Sequence, residues 1–260
     1  MVLAALLGTT ACGEPLLPGA PDPDATLDGP IDGLSGAQLA AHARGDAEFG
    51  RTFTHASGLG PMFVATSCSS CHVADGRGHP LFNITRFGRH TTNGFDPMEL
   101  VGGPQLQNRA IGGYLAEVMP SGATSVAQFM APAVTGLGLL EAVDDTTIFA
   151  LADPDDRDGD GISGRASLID SSDFIAEIVS LGGLLQGSER TRHVPVNGKY
   201  LGRFSRKART INLLHQTVFA YSEDMGITTD LVPRDLFNRQ VGSQAADAAP
   251  DPEVATSVVN

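Results

Sequence analysis

The chain of 260 residues has no tryptophan and only three cysteines, Cys12, Cys68 and Cys71. So few thiols exclude a disulfide scaffold of the small secreted kind, and no second cysteine pair exists to complete a four-cysteine zinc site. Basic residues are scarce as well. Lys and Arg number 17 against 30 Asp and Glu, for a net charge of −13, which argues against nucleic acid as a partner because phosphates would be repelled. Long apolar runs are missing too. The opening stretch, Met1 to Ala11, is apolar but far too short to span a bilayer. Glycine (31) and proline (16) are plentiful, which predicts short helices joined by long loops.

Against this background one pentapeptide stands out, Cys68-Ser69-Ser70-Cys71-His72. C-x-x-C-H is the attachment sequence of a c-type haem: two thiols add across the vinyl groups and the histidine reaches the iron from one side. C-x-x-C by itself also fits half a zinc site or a redox dithiol. A thioredoxin-like dithiol wants a strand before it, whereas Gly58-Leu59-Gly60-Pro61 is a turn signature. With two cysteines assigned to haem c, Cys12 remains. It follows an apolar run ending in small residues, as in an exported bacterial lipoprotein, although the run lacks basic residues at its start. This predicts a periplasmic or membrane-anchored protein, with Cys12 lipidated and residues 1–12 a signal segment. Residues 13–34, rich in Pro, Gly and Asp, follow as a flexible linker.

Ser35 reads as the N-cap of a helix leading into the haem motif. Residues 81–95 read as polar and irregular, and a short helix is expected from Gln105 to Ile111. Asp144 or Asp145 caps a helix to about Leu151, and the apolar segment 131–143 is expected to pack on the core, without a helix before Leu137. Thr210 to Asp224 carries Ile211, Leu214, Val218, Tyr221 and Met225 at helical spacing, with Gly226 as its stop. Met225 is the candidate sixth iron ligand, since a thioether suits haem iron and raises its potential; His215 is its rival on the same helix. His42, His55, His79 and His90 are further histidines near the motif in sequence, read as surface or packing residues.

Charge is clustered in two places. Asp156, Asp158, Asp160 and Gly161 match the D-x-D-x-D-G opening of a Ca2+ loop, but Ser167 stands where a bidentate glutamate belongs. Asp170 is a substitute; a solvated acidic turn is the alternative. Arg190, Arg192, Lys199, Arg203, Arg206, Lys207 and Arg209 crowd into twenty residues. They would compensate haem propionates or dock an acidic partner, or else pair with the chain's own carboxylates. Arg109 and Arg203 are the candidate propionate contacts, because guanidinium matches a carboxylate.

These phrases together resemble the bacterial di-haem oxidoreductases of the peroxidase and "thiol oxidoreductase" type, relatives of the di-haem cytochrome c peroxidases. The matching pieces run in order from Gly58-Leu59-Gly60-Pro61 and Asp75-Gly76-Arg77-Gly78, through Gly103-Pro104-Gln105-Leu106-Gln107 and Gly136-Leu137-Gly138-Leu139-Leu140-Glu141-Ala142. Ala152-Asp153-Pro154-Asp155, Asp158-Gly159-Asp160-Gly161-Ile162-Ser163-Gly164-Arg165, Gly202-Arg203-Phe204 and Asp224-Met225-Gly226-Ile227-Thr228 complete them. Such proteins carry a second C-x-x-C-H, which does not occur here, and many have a tryptophan where Arg206 stands. The segment between Gly113 and Ala131 is also shorter than in many members. The resemblance implies a mainly α, cytochrome c-like haem domain with long irregular loops over residues 35–240. Residues 241–260 would be a linker and the start of a truncated second haem region. It implies an N-terminal haem half that passes electrons to a periplasmic redox partner protein. The alternative is a peroxidase-type enzyme with an open iron that reduces hydrogen peroxide. A calcium-steadied binding domain, with its cysteines only structural, is the third reading.

Overall fold

The computed structural model describes residues 29–185, 193–236, 238–239, 241 and 251–259. Cys12, Arg190, Arg192 and the linker 242–250 lie outside them. The chain opens with α1 (Gly36–Gly50), capped by Ser35 in a reciprocal box with Gln38. A one-turn helix at His55–Ser57, β1 (Met62–Phe63) and a tight turn at Cys68–Ser70 follow. Then come α2 (Val73–Gly76), β2 (Arg77–Gly78), β3 (Asn83–Thr91), β4 (Gly94–Asp96), β5 (Arg109–Ala110) and β6 (Ser125–Met130). The second half holds α3 (Leu137–Glu141), α4 (Asp145–Ala150), β7 (Leu168–Asp170), α5 (Asp173–Leu185), β8 (Lys199–Leu201), α6 (Leu213–Ala220) and α7 (Thr256–Val259).

The expectation of a mainly α domain is overturned: helix makes up 28% and strand 20%. The largest sheet has the order β4-β3-β6, with Asn83 opposite Met130 and Arg89 opposite Asp96. The segment 81–95, which reads as irregular, is therefore mostly a hairpin. Thr92-Asn93 turns it, and Gly94, opening β4 opposite Thr91, sits at φ 110°, a conformation that glycine adopts without steric cost. The helix expected from Gln105 to Ile111 is absent. Gln105 instead bridges Arg86, and Arg109–Ala110 pairs antiparallel with Met62–Phe63. Asp251-Pro252-Glu253 reads in sequence as a helix cap with Pro at the first helical position, but no helix opens there; α7 starts at Thr256.

Other expectations hold because their signals are local. Asp144 takes the N-cap position of α4, through its backbone carbonyl rather than its side chain, and no helix precedes Leu137 in the 131–143 segment. Leu139 and Leu140 are exposed, however, so the segment 131–143 is not wholly packed. α6 runs on into a turn of wider pitch, Tyr221–Met225, before Gly226 stops it at φ 68°. A Cβ on Gly226 would lie 2.5 Å from the Met62 carbonyl oxygen and 2.7 Å from that of Gly60, so close approach as well as φ demands glycine there.

One core joins the halves. Ile175 and Ile178 of α5 meet Leu214 and Val218 of α6, and Phe53, Tyr221 and Met225 close over them with Cys68 packed at the edge. Each such buried side chain contributes about 1.5–3 kcal/mol. Val254 and Val259, late in the chain, enter the same core, with Val254 bridging Thr229.

Candidate functional site

The haem motif sits on the Cys68–Ser70 turn, which Ser67 caps by accepting from the Ser70 N–H. Both thiols are free and half-buried. Burial, reinforced by the Asp224 carboxylate, pushes Cys68 up to about 12; the same causes raise Cys71 in the same direction, while Arg109 offsets part of that. The thiols are thus neutral and shielded, and Cys71 lies within the field of Arg109. His72 follows at the entry to α2, its ring 6.0 Å from that of Phe49. Burial lowers its pKa, with the Pro132 carbonyl acting the other way. Its Nδ1 is buried without a hydrogen-bond partner. Two free thiols on one turn beside an under-satisfied neutral imidazole are the donor set that covalent haem requires, and these residues fit it.

Met225 is 2% exposed and belongs to the core cluster against which Cys68 packs. His215 is also buried, boxed in by Phe174 and Phe219 at ring distances of 5.2 and 4.4 Å. Desolvation pushes it down to about 4, so it is a neutral imidazole, and its Nδ1 accepts from the Ile211 N–H. Its Nε2 is buried without a hydrogen-bond partner. Of the other histidines, His55 and His90 are exposed, and His79 accepts from the Leu81 N–H.

The arginines divide. Arg109 is exposed on β5, within electrostatic reach of Cys71. Arg203 is buried and committed elsewhere: it donates to the Leu140 and Glu141 carbonyls and pairs with Asp145. Lys199 pairs with Asp170 at 2.6 Å, and Arg206 donates to the Met130 carbonyl at 3.0 and 2.8 Å. The basic run, where described, is thus largely satisfied within the chain.

The acidic loop is rearranged relative to its motif. The carboxylates within 4.8 Å of one another are those of Asp153, Asp156 and Asp158, not Asp160. Asp160 instead accepts from the Ile162 N–H at 2.7 Å. Asp153 Oδ1 is buried without a hydrogen-bond partner, while its Oδ2 accepts from the Arg157 N–H at 2.8 Å. Asp170 is engaged with Lys199. The Ala152-Asp153-Pro154-Asp155 phrase contains the missed ligand candidate.

What sequence reading missed is a polar cluster beneath Met225. Gln105 and Gln107, both fully buried, donate to the Glu223 carbonyl at 3.0 and 2.9 Å, and Gln105 also donates to the Asp224 carboxylate. Arg86 and Arg209 both hold the Glu223 carboxylate. Burial raises Asp224 to about 6. Glu117 accepts from the Gln107 N–H and the Asn238 amide, and burial raises it to about 7. The only signal was the phrase Gly103-Pro104-Gln105-Leu106-Gln107, which names the residues but not their target.

Among the described residues no helix is long and apolar enough to cross a membrane. Neither the curated proteins nor the solved structures contain a significant match to this chain. Residues 19–87 and 125–240 match the family described as "Di-haem oxidoreductase, putative peroxidase", leaving out 88–124, the stretch that carries Gln105, Gln107, Arg109 and Glu117. The match spans most of the chain and includes the whole Cys68–His72 motif, so this chain belongs to the di-haem oxidoreductase family.

Proposed function

We propose that this chain is a haem c domain that relays single electrons within a di-haem oxidoreductase. Cys68 and Cys71 would hold the porphyrin as thioethers, and His72 and Met225 are the residues that would ligate its iron. The haem supplies the redox change of the iron; the chain sets its potential through ligand identity, burial and nearby charge. The observation that carries this reading is the pair of free, partly shielded thiols on one turn, of which Cys68 packs against the same core that buries Met225. Arg109, exposed on β5 and in the field of Cys71, is the residue best placed to meet a propionate. Replacing His72 with Ala should abolish the low-spin haem spectrum; an unchanged spectrum would defeat the assignment.

The family description favours a second reading, an enzyme that reduces hydrogen peroxide at an open iron. Carbon monoxide or cyanide separates the two: fast binding at one equivalent marks an open iron, and resistance marks a six-coordinate electron carrier. The setting in this reading is the bacterial periplasm, where c-type haem is attached. Cys12 serves as a lipid anchor, and a periplasmic redox protein is the electron partner. Asp153, Asp156 and Asp158 form the Ca2+ site, supported by the unpartnered buried oxygen of Asp153.

A further inference from the structure

The turn that carries Met225 is held to an unusual degree. Its pitch is wider than that of an α-helix, with the Gly226 N–H reaching back to the Tyr221 carbonyl as well as to that of Ser222. Such turns leave carbonyls without their ordinary intrahelical donors, and they are frequent at functional sites. Here each freed group has a donor from the haem-bearing half of the chain. The Met225 carbonyl accepts from the Gly60 N–H at 3.0 Å, and the Asp224 carbonyl accepts from the N–H groups of Val64 and Ala65 at 2.7 and 3.0 Å. The Glu223 carbonyl accepts from both buried amides, Gln105 and Gln107. Gln105 is fixed at its other end as well, its Oε1 accepting from Arg86 at 3.0 Å. It therefore cannot turn its amide round without losing bonds on both sides.

We propose that Gln105 and Gln107 are positioning residues for the iron, fixing the Glu223–Asp224 backbone and through it the distance of the Met225 thioether from the haem. The claim rests on Met225 being the distal ligand. The two amides come from the 103–107 segment, far away in sequence, and meet on the two residues immediately before the sulfur. If they only satisfied spare carbonyls, their loss would lower stability and leave the iron unaffected. If they hold the thioether in place, their loss also lets the sulfur retreat. Thioether ligation favours ferrous iron, so a retreating sulfur lowers the potential.

The experiment uses the haem-loaded full chain and two readouts: the near-infrared sulfur-to-iron charge-transfer band of the oxidised protein, and the reduction potential. Met225→Leu comes first. Loss of the band confirms the ligand; a band unchanged by Met225→Leu, or missing from the parent protein, overturns the ligand reading and the inference with it. Given a Met225 ligand, Gln105→Met and Gln107→Met remove the donors while keeping side-chain length. The expected result is a weakened or shifted band and an about tenfold change in the ferrous-to-ferric equilibrium, about 59 mV downward for a one-electron couple. If Gln105→Met does not fold, Gln107→Met, which gives up the bond to the Glu223 carbonyl, carries the test. A lowered melting temperature with band and potential unmoved would overturn the inference while leaving Met225 as the ligand.

Discussion

The Tyr221–Met225 turn and the Asp153–Asp160 loop are both polar and both irregular, yet they are built in opposite ways. The acidic loop is made of its own residues. Asp156 Oδ1 accepts from the Gly161 N–H at 3.1 Å and Asp158 Oδ1 from the Asp160 N–H at 3.2 Å, so few side-chain bonds leave the segment. Asp156 at φ 52° and Gly159 and Gly161 at positive φ make the bend, a conformation Asp tolerates and Gly prefers. The turn, by contrast, takes most of its side-chain bonds from residues more than a hundred positions away, Gln105, Gln107, Arg86 and, through the Tyr221 hydroxyl, Glu48 at 2.9 Å, with Arg209 the nearby exception. A loop of the first kind tolerates local change. A turn of the second kind transmits it to the core and to whatever the core holds.

Three substitutions sharpen that contrast, in falling order of effect. Met225→Ala should cost about 2–5 kcal/mol in denaturant unfolding, because it leaves a cavity in a core with nothing to refill it. A cost below about 1 kcal/mol would mean that the turn is more loosely packed than its burial indicates. Glu117, which shares Gln107 with the turn, gives a pH signature. Its carboxyl is raised from 4.5 to about 7 in the fold, so the native state binds the proton more tightly than the unfolded chain does. Stability should then be greatest near or below pH 4.5 from this group alone, fall as pH rises towards about 7, and level off above. Glu117→Gln should flatten that slope in a series of thermal melts; a slope that persists would place its origin elsewhere. Asp158→Asn should change stability by less than about 0.5 kcal/mol without calcium, as expected for an exposed residue. Added calcium should raise the melting temperature of the parent protein and not that of the variant; equal responses would remove the cation from the loop.

The same contrast explains what could be read from the sequence. Ser35, Asp144 and Gly226 were legible because caps and stops are written within four residues of the element they end. The haem motif and the acidic loop were legible for the same reason. The β3–β6 pairing was not: Asn83 meets Met130 only in the fold, and β6 alternates too weakly to announce a strand. Nor was the meeting of Gln105 with Asp224, since a buried amide looks like any other glutamine until its partner is known. Arg203 had the right chemistry for a propionate, but Asp145 holds it. In the acidic loop the spacing pointed to Asp160, whereas the bend at Asp156 brought Asp153 round to the other carboxylates instead.

The account depends first on a covalent bond between this chain and a porphyrin. Intact mass measurement of protein matured in a haem-attaching bacterial periplasm tests it directly. A mass raised by one haem, with Cys68 and Cys71 closed to alkylation, is the predicted result. The bare polypeptide mass with both thiols still alkylatable would contradict it.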